Sequence, residues 1–169
     1  MFNQLDQAIH WIETQVKFKP KENLERMQYA YQMLDIDLTH IKKVHVAGTN
    51  GKGSTCAYLT RLFRNRDQKV GTFTSPYILE FNERISIDLT YISDSDLLTY
   101  INWVYQFNEN LFEVYKEKLS FFELLTLMAL KYFVDKKVDV IIMEVGIGGL
   151  LDATNVIDYD LSLITNIGY

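Results

Sequence analysis

A chain of 169 residues is long enough for one domain with a sizeable core, and 48% hydrophobic with 23% charged residues is the balance of a soluble globular protein. Aromatic content of 14% with two prolines argues against disorder, and a net charge of −5 with a pI near 5.2 argues against a nucleic-acid partner, which needs a basic surface. The lone Cys56 excludes an internal disulfide, the N-terminal MFNQLDQAIHWIETQ has no signal-peptide core, and no stretch approaches the roughly 18 apolar residues of a membrane span, so a cytoplasmic location is expected.

From Leu5 to Val16, the positions Ile9, Ile12 and Val16 share one helical face. A second amphipathic helix is predicted from Lys21 to Leu34, with Leu24, Met27, Tyr31 and Leu34 as its buried stripe. The period then changes: Lys43-Val44-His45-Val46-Ala47 is a short apolar run before a glycine, as in a buried parallel strand. Helical pattern resumes from Ser54 to about Asn65, and Val70-Gly71-Thr72-Phe73-Thr74 is the next strand. Ile85-Ser86-Ile87-Asp88 alternates like a strand with one wet face. Asp94 or Ser95 caps a long helix carrying Leu97, Ile101, Val104 and Tyr105. Ser120 and Glu123 have capping-box spacing at the head of a helix running to about Phe133. Asp139-Val140-Ile141-Ile142-Met143-Glu144 is the strongest strand, and Leu161-Ser162-Leu163-Ile164-Thr165 is another. Strands alternating with helices predict a mostly parallel α/β sheet flanked by helices, with residues 1–42 as a helical segment before a core at 43–169. In such sheets ligands bind at the carboxyl ends of strands, where residues 48–54, 74–76 and 144–149 all fall.

The chemistry is densest at Gly48-Thr49-Asn50-Gly51-Lys52-Gly53-Ser54-Thr55. Strand, glycine-rich turn and helix in succession set unpaired backbone N–H groups and the positive end of a helix dipole around one point, which favours a phosphate. Lys52 is placed to reach the β- and γ-phosphates of ATP, and a hydroxyl of Ser54 or Thr55 to meet Mg²⁺. Against the strict phosphate-loop pattern there are two departures: Val46 stands where the first glycine belongs, and Gly53 separates Lys52 from Ser54. Glu144 ends an apolar strand, where an acidic residue reaches a nucleotide-bound metal. The pair Phe121-Phe122 has two uses, stacking on a flat heterocycle or plain core packing, and on spacing alone core packing is the simpler. No Ser-His-Asp or Cys-His arrangement is legible, and Cys56 reads as a small core residue.

The glycine after the loop lysine resembles the folylpolyglutamate synthase/dihydrofolate synthase branch of the Mur ligase superfamily. The resemblance extends to Asn23-Leu24-Glu25-Arg26-Met27, to Thr74-Ser75-Pro76 with Phe81-Asn82-Glu83-Arg84-Ile85, to Ser120-Phe121-Phe122-Glu123, and to Glu144-Val145-Gly146-Ile147-Gly148-Gly149 through Asp152-Ala153-Thr154-Asn155. It implies a P-loop NTPase-like fold, the Mur ligase central domain. It also implies an ATP-dependent ligation in which a pteroyl or folate carboxylate is phosphorylated and then attacked by the amine of L-glutamate. By the same resemblance Lys52 and Glu144 are catalytic, and Ser75 and Glu144 ligate Mg²⁺. Leu151, Asp152 and Ala153, with residues 120–123 and nearby Leu24, Glu25 and Arg26, form the pterin site.

Three departures qualify the match. Tyr77 stands where relatives often have His, and Leu150 where many carry Arg. Relatives continue past the strand resembling Leu163-Ile164-Thr165-Asn166-Ile167-Gly168 into an Asp-His metal ligand, a carbamylated lysine and a C-terminal domain; this chain reaches Tyr169. His10, His40 and His45 are poor substitutes for that ligand. The chain is therefore expected to be the N-terminal part of a longer ligase, inactive alone and prone to self-association through an uncovered sheet edge. Two alternatives stand beside this: another Mur-type ligase acting on a cell-wall precursor, which Gly53 and residues 24–26 argue against, and a nucleotide-binding module without catalysis.

Overall fold

The computed structural model describes residues 1–17 and 23–168. In chain order these form α1 (Leu5–Glu13), α2 (Glu25–Leu34), β1 (Lys42–Ala47), α3 (Lys52–Arg64), β2 (Val70–Phe73), β3 (Ile85–Ile87) and β4 (Thr90–Tyr91). There follow α4 (Asp94–Tyr115), α5 (Phe121–Asp135), β5 (Val140–Glu144) and β6 (Leu161–Ile164), with 3-10 turns at Phe81–Arg84 and Ala153–Val156.

The most apolar strand is also the most enclosed. Every residue of β5 is buried, and β5 pairs in parallel with β1 on one side and β2 on the other. β6 extends the sheet in parallel beyond β1, while β3 and β4 add an antiparallel hairpin beyond β2, giving the order β4-β3-β2-β5-β1-β6. The mostly parallel α/β sheet is present, with that hairpin as its antiparallel edge.

Side chains alternate across each strand, so the two faces of the sheet have separate cores. Val44, Val46, Val70, Val140 and Ile142 gather with Cys56 under α3. Phe73, Ile141 and Met143 face the larger core, which contains Ala8, Ile12, Met27, Leu97, Ile101 and Leu125 from α1, α2, α4 and α5. Residues before Lys42 thus share the main core and are not a layer of their own.

Several element ends differ from the sequence pattern for local reasons. α1 stops at Glu13 because Thr14 and Gln15 turn their side chains back onto the Trp11 carbonyl, leaving Val16 beyond the helix and 52% exposed. Lys21, the expected start of the second helix, lies outside the described residues; α2 begins at Glu25 and buries Met27, Ala30 and Leu34, with Leu24 and Tyr31 only half-buried. The cap of α4 is Ser93, whose hydroxyl accepts from the Asp96 amide at 3.1 Å, in place of Asp94 or Ser95. Ser86, on the face expected to be wet, is buried. The α5 capping box forms as its spacing predicts. Among the described residues no helix is long and apolar enough to cross a membrane.

Candidate functional site

β2, β5 and β1 are neighbours in the sheet, so the loops leaving their carboxyl ends meet at one edge. These are the segments at 48–54, 74–76 and 144–149, which the sequence left far apart.

The loop after β1 turns through Gly48 at φ 132° and Gly51 at φ 80°, a region that side-chain-bearing residues rarely adopt. A Cβ on Gly48 would also run into the Thr165 hydroxyl and the Asn166 carbonyl. α3 starts at Lys52, earlier than the expected Ser54, and no side chain caps it. Its first ladder bond is from the Thr55 amide to the Gly51 carbonyl, 2.9 Å, so the amides of Lys52, Gly53 and Ser54 point out of the helix start without intrahelical acceptors. Such a start attracts phosphate. The loop is braced from the segment just after β6: the Thr49 amide donates to the Asn166 carbonyl at 2.8 Å and the Asn50 amide to Asn166 Oδ1 at 2.9 Å. Lys52 Nζ lies over the loop, 2.9 Å from the Gly48 carbonyl, and the Thr55 hydroxyl donates to the Gly51 carbonyl at 2.9 Å.

Glu144 lies beside this helix start. It is 5% exposed, and a Cβ on Gly53 would come 3.7 Å from its Oε2. The Ser75 amide donates to Oε2 at 3.0 Å, while Oε1 accepts no hydrogen bond among the described residues. Burial pushes the Glu144 carboxyl above the ordinary range, against the pull of the Ser75 amide and of Lys52. A buried carboxylate with one open oxygen fits a hard cation, which needs only one or two protein oxygens when phosphates and water complete its shell. Among the described residues no cluster of three or more His, Cys, Asp or Glu side chains exists to hold a metal without such help.

Next to Ser75 opens a cavity of about 420 Å³. Of the expected site residues it is lined by Ser75, Ser120, Phe121, Phe122, Leu151 and Asp152. Phe122 packs on Phe73, ring centroids 5.6 Å apart, and reaches Gly146 so closely that a Cβ there would be 2.7 Å from its ring. Asp152 holds the loop after β5: Oδ2 accepts from the Gly146 and Ile147 amides at 3.1 and 3.0 Å, and Oδ1 from the Thr154 amide and hydroxyl at 3.0 and 2.6 Å. Behind it His45 stacks on Tyr159 at 4.1 Å and shares a 2.7 Å hydrogen bond with Thr154. Burial depresses the His45 pKa against the charge of Asp152. Burial also pushes the Cys56 thiol up to about 12, in keeping with its core role.

Five expected substrate contacts lie off the cavity wall. Glu123 is 1% exposed, and its carboxylate is taken by the Ser120 amide and hydroxyl, both at 2.7 Å, and by Arg26 at 3.0 Å. Arg26 divides its guanidinium between Glu123 and Glu117, so the two residues knit α2 to α5 behind the wall. Ala153 is fully buried in the core, Leu24 packs against that core, and Glu25 is exposed at the start of α2. The lining also holds Pro76, Gly146 and Ile147, from the segments 74–76 and 144–149 expected at the site, and Lys17 and Arg84, which the sequence reading did not assign to it. Arg84, Gly146 and Ile147 stood inside the quoted motifs, but nothing local marks which of a motif's side chains turn toward a cavity.

No family model matches the chain. It is similar over its whole length, at 41% identity across 170 aligned positions, to the dihydrofolate synthase/folylpolyglutamate synthase of Bacillus subtilis, of which it covers 40%. The fold is similar to that of Mycobacterium tuberculosis folylpolyglutamate synthase complexed with ADP, with a TM-score of 0.89 and 32% identity over 98% of this chain and 37% of that one. It is also similar to a bifunctional folylpolyglutamate synthase/dihydrofolate synthase with Mn, AMPPNP and L-glutamate bound, with a TM-score of 0.85 and 34% identity over 99% of this chain and 39% of that one. With phosphate loop, strand-end carboxylate and adjoining cavity in one place, the chain belongs to the folylpolyglutamate synthase/dihydrofolate synthase family and spans about 40% of the length of its Bacillus relative.

Proposed function

We propose that this chain supplies the ATP-binding loop and the pteroyl-binding cavity of an ATP-dependent ligase that joins L-glutamate to a pteroyl or folate carboxylate. One observation carries the reading: Ser75 lines the cavity while its amide is bound to Glu144, so the cavity opens beside the nucleotide loop. Both relatives compared in structure are folylpolyglutamate synthases, one holding ADP and the other AMPPNP, Mn and L-glutamate.

In this reading the loop amides and Lys52 hold the ATP phosphates, with Lys52 leaving the Gly48 carbonyl for the ligand. Ser75 and Glu144 hold Mg²⁺, which neutralises charge on the phosphates when bound. A flat pterin lies against Phe121 and Phe122, and Asp152 keeps the neighbouring loop amides in place. The γ-phosphoryl group passes to an oxygen of the substrate carboxylate and ADP leaves. The glutamate amine then attacks the acyl carbon, loses its proton, and inorganic phosphate departs. Such chemistry rests on positioning and charge neutralisation more than on covalent help from the protein. A cytoplasmic location and self-association along the open edge of β6, where Leu161 and Ile164 are 46% and 67% exposed, belong to the same reading.

The test is ADP release by the full-length protein with ATP·Mg²⁺, dihydropteroate or folate, and glutamate, each omitted in turn. Release that needs all of them supports the proposal; release indifferent to the pteroyl compound and to glutamate overturns it. Residues 1–169 made alone are expected to bind nucleotide without ligating, because more than half the length of the Bacillus relative lies outside the aligned region.

A further inference from the structure

Arg84 is the buried cation that the rest of the site leaves unused. It sits at the end of the 3-10 turn Phe81–Arg84, is 7% exposed, and lines the cavity. Its carbonyl accepts from the Thr74 amide at 2.9 Å, which ties its backbone to the residue before Ser75. The guanidinium is held among aromatic rings, 4.9 Å from the centroid of Tyr77, 5.6 Å from Phe81 and 5.3 Å from Phe121. These faces fix its place by cation–π attraction but accept no hydrogen bond in the plane of the fork. Among the described residues Arg84 has no carboxylate partner, and its buried Nε has no hydrogen-bond acceptor. Glu13, a nearby acid, is engaged by the Tyr77 hydroxyl at 2.9 Å. Burial presses the Arg84 pKa down, yet arginine remains charged at any physiological pH. An unpaired buried charge is costly, and a ligand that completes the pairing relieves that cost.

We propose that Arg84 is the carboxylate-binding residue of the cavity, gripping the acidic group of an aromatic substrate at the end of the cavity that Ser75 shares with the nucleotide loop. The proposal deepens the pteroyl reading above and rests on it for the identity of the ring. The planar fork matches a carboxylate in bidentate fashion, and Phe121, which carries the guanidinium on one side, belongs to the pair assigned to the ring. One residue thereby couples ring recognition to placement of the oxygen that is to be phosphorylated. The exposed Leu150 in the loop after β5 brings no charge to this task.

The experiment measures calorimetric affinities of dihydropteroate and its methyl ester for the full-length wild type, Arg84→Gln and Arg84→Lys, with ATP·Mg²⁺ affinity as control. A second pair, 2-naphthoate and 2-naphthamide, reads the carboxylate grip without a pterin. The wild type is expected to prefer each acid over its neutral partner by roughly 10- to 150-fold. Arg84→Gln is expected to erase the preference while leaving ATP affinity unchanged, and Arg84→Lys to keep part of it. An equal loss for acid and ester means Arg84 only supports the wall, and overturns the proposal, as does a preference that survives in Arg84→Gln. Should Arg84→Gln fail to fold, an undiminished preference in Arg84→Lys overturns it and a reduced one supports it. If naphthoate shows the preference while neither pteroyl compound binds, the pterin reading fails and the assignment of Arg84 stands; if neither acid is preferred, the assignment fails too.

Discussion

Replacing Glu144 with glutamine separates a metal ligand from a structural carboxylate, because the two roles move stability and affinity in opposite directions. The change keeps the shape and leaves an amide oxygen to accept the 3.0 Å bond from the Ser75 amide, so only the charge is lost. In the ligand-free protein that charge is a burden: burial holds the Glu144 pKa above its ordinary value. Between the ordinary and the raised pKa the folded state binds more protons than the unfolded one, so this group's contribution to stability falls as pH rises through that window. Glutamine removes the slope, and at neutral pH the variant is expected to melt no lower than the parent. For a chain of this size each 1 kcal/mol is worth about 2–4 °C, so a real loss of structure would be seen. Binding goes the other way. A charge-assisted contact contributes about 1.5–3 kcal/mol, so Mg²⁺-dependent ATP affinity should drop roughly 10- to 150-fold while Mg²⁺-free affinity changes little. In the parent, Mg²⁺-dependent affinity should also weaken as pH falls through the raised pKa, since the metal needs the carboxylate, and this dependence should vanish in the variant. The assay is calorimetric titration of ATP with and without Mg²⁺ across pH, beside thermal melts. Equal loss with and without Mg²⁺, or a markedly lower melting temperature, would show that Glu144 is a structural residue and refute the metal site.

Lys52→Ala should lower ATP affinity by roughly 10- to 150-fold with an unchanged circular dichroism spectrum, since among the described residues its ammonium hydrogen-bonds to the loop carbonyl of Gly48 alone; undiminished affinity in the folded variant refutes the phosphate role. Gly71→Ala places a methyl 2.5 to 2.8 Å from ring carbons of Phe133, and overpacking of this kind costs about 1–3 kcal/mol. Its thermal melt should fall by roughly 2–12 °C with ATP affinity retained, and an unshifted melt would mean that α5 is free to move off β2.

Elements with a strong local signature were legible in the chain alone. The apolar runs of β2, β5 and the centre of β1 stand out because a strand buried on both faces needs no alternation, and β6 stands out by Leu161, Leu163 and Ile164 although it is largely exposed. The α5 cap was legible because both its partners lie within four residues. Strand order was not, since β1 and β5 are brought together by packing that no local pattern encodes. The pairing of Glu123 with Arg26 was hidden for the same reason: the capping box was visible, but the arginine that completes the pair is 97 positions away. Arg84 looked like one more charged residue of a motif, and its meaning appears only when Tyr77, Phe81 and Phe121 close around it. Val16 misled because helical periodicity continues through it, while the side chains of Thr14 and Gln15 end the helix first.

The bracing of the loop after β1 by the segment that follows β6 has a consequence for how the protein comes into being. The Thr49 hydroxyl accepts from the Gly168 amide and the Asn50 carbonyl from the Thr165 hydroxyl, contacts spanning 119 and 115 positions of chain. A ribosome therefore delivers the loop's sequence early and its clasp late, and at about 5–20 residues per second the interval is on the order of ten seconds. During that time the glycines of the loop have little to hold them in their left-handed turns, and a nascent chain has no reason to capture nucleotide. Order in this loop is therefore gained only when β6 has docked beside β1.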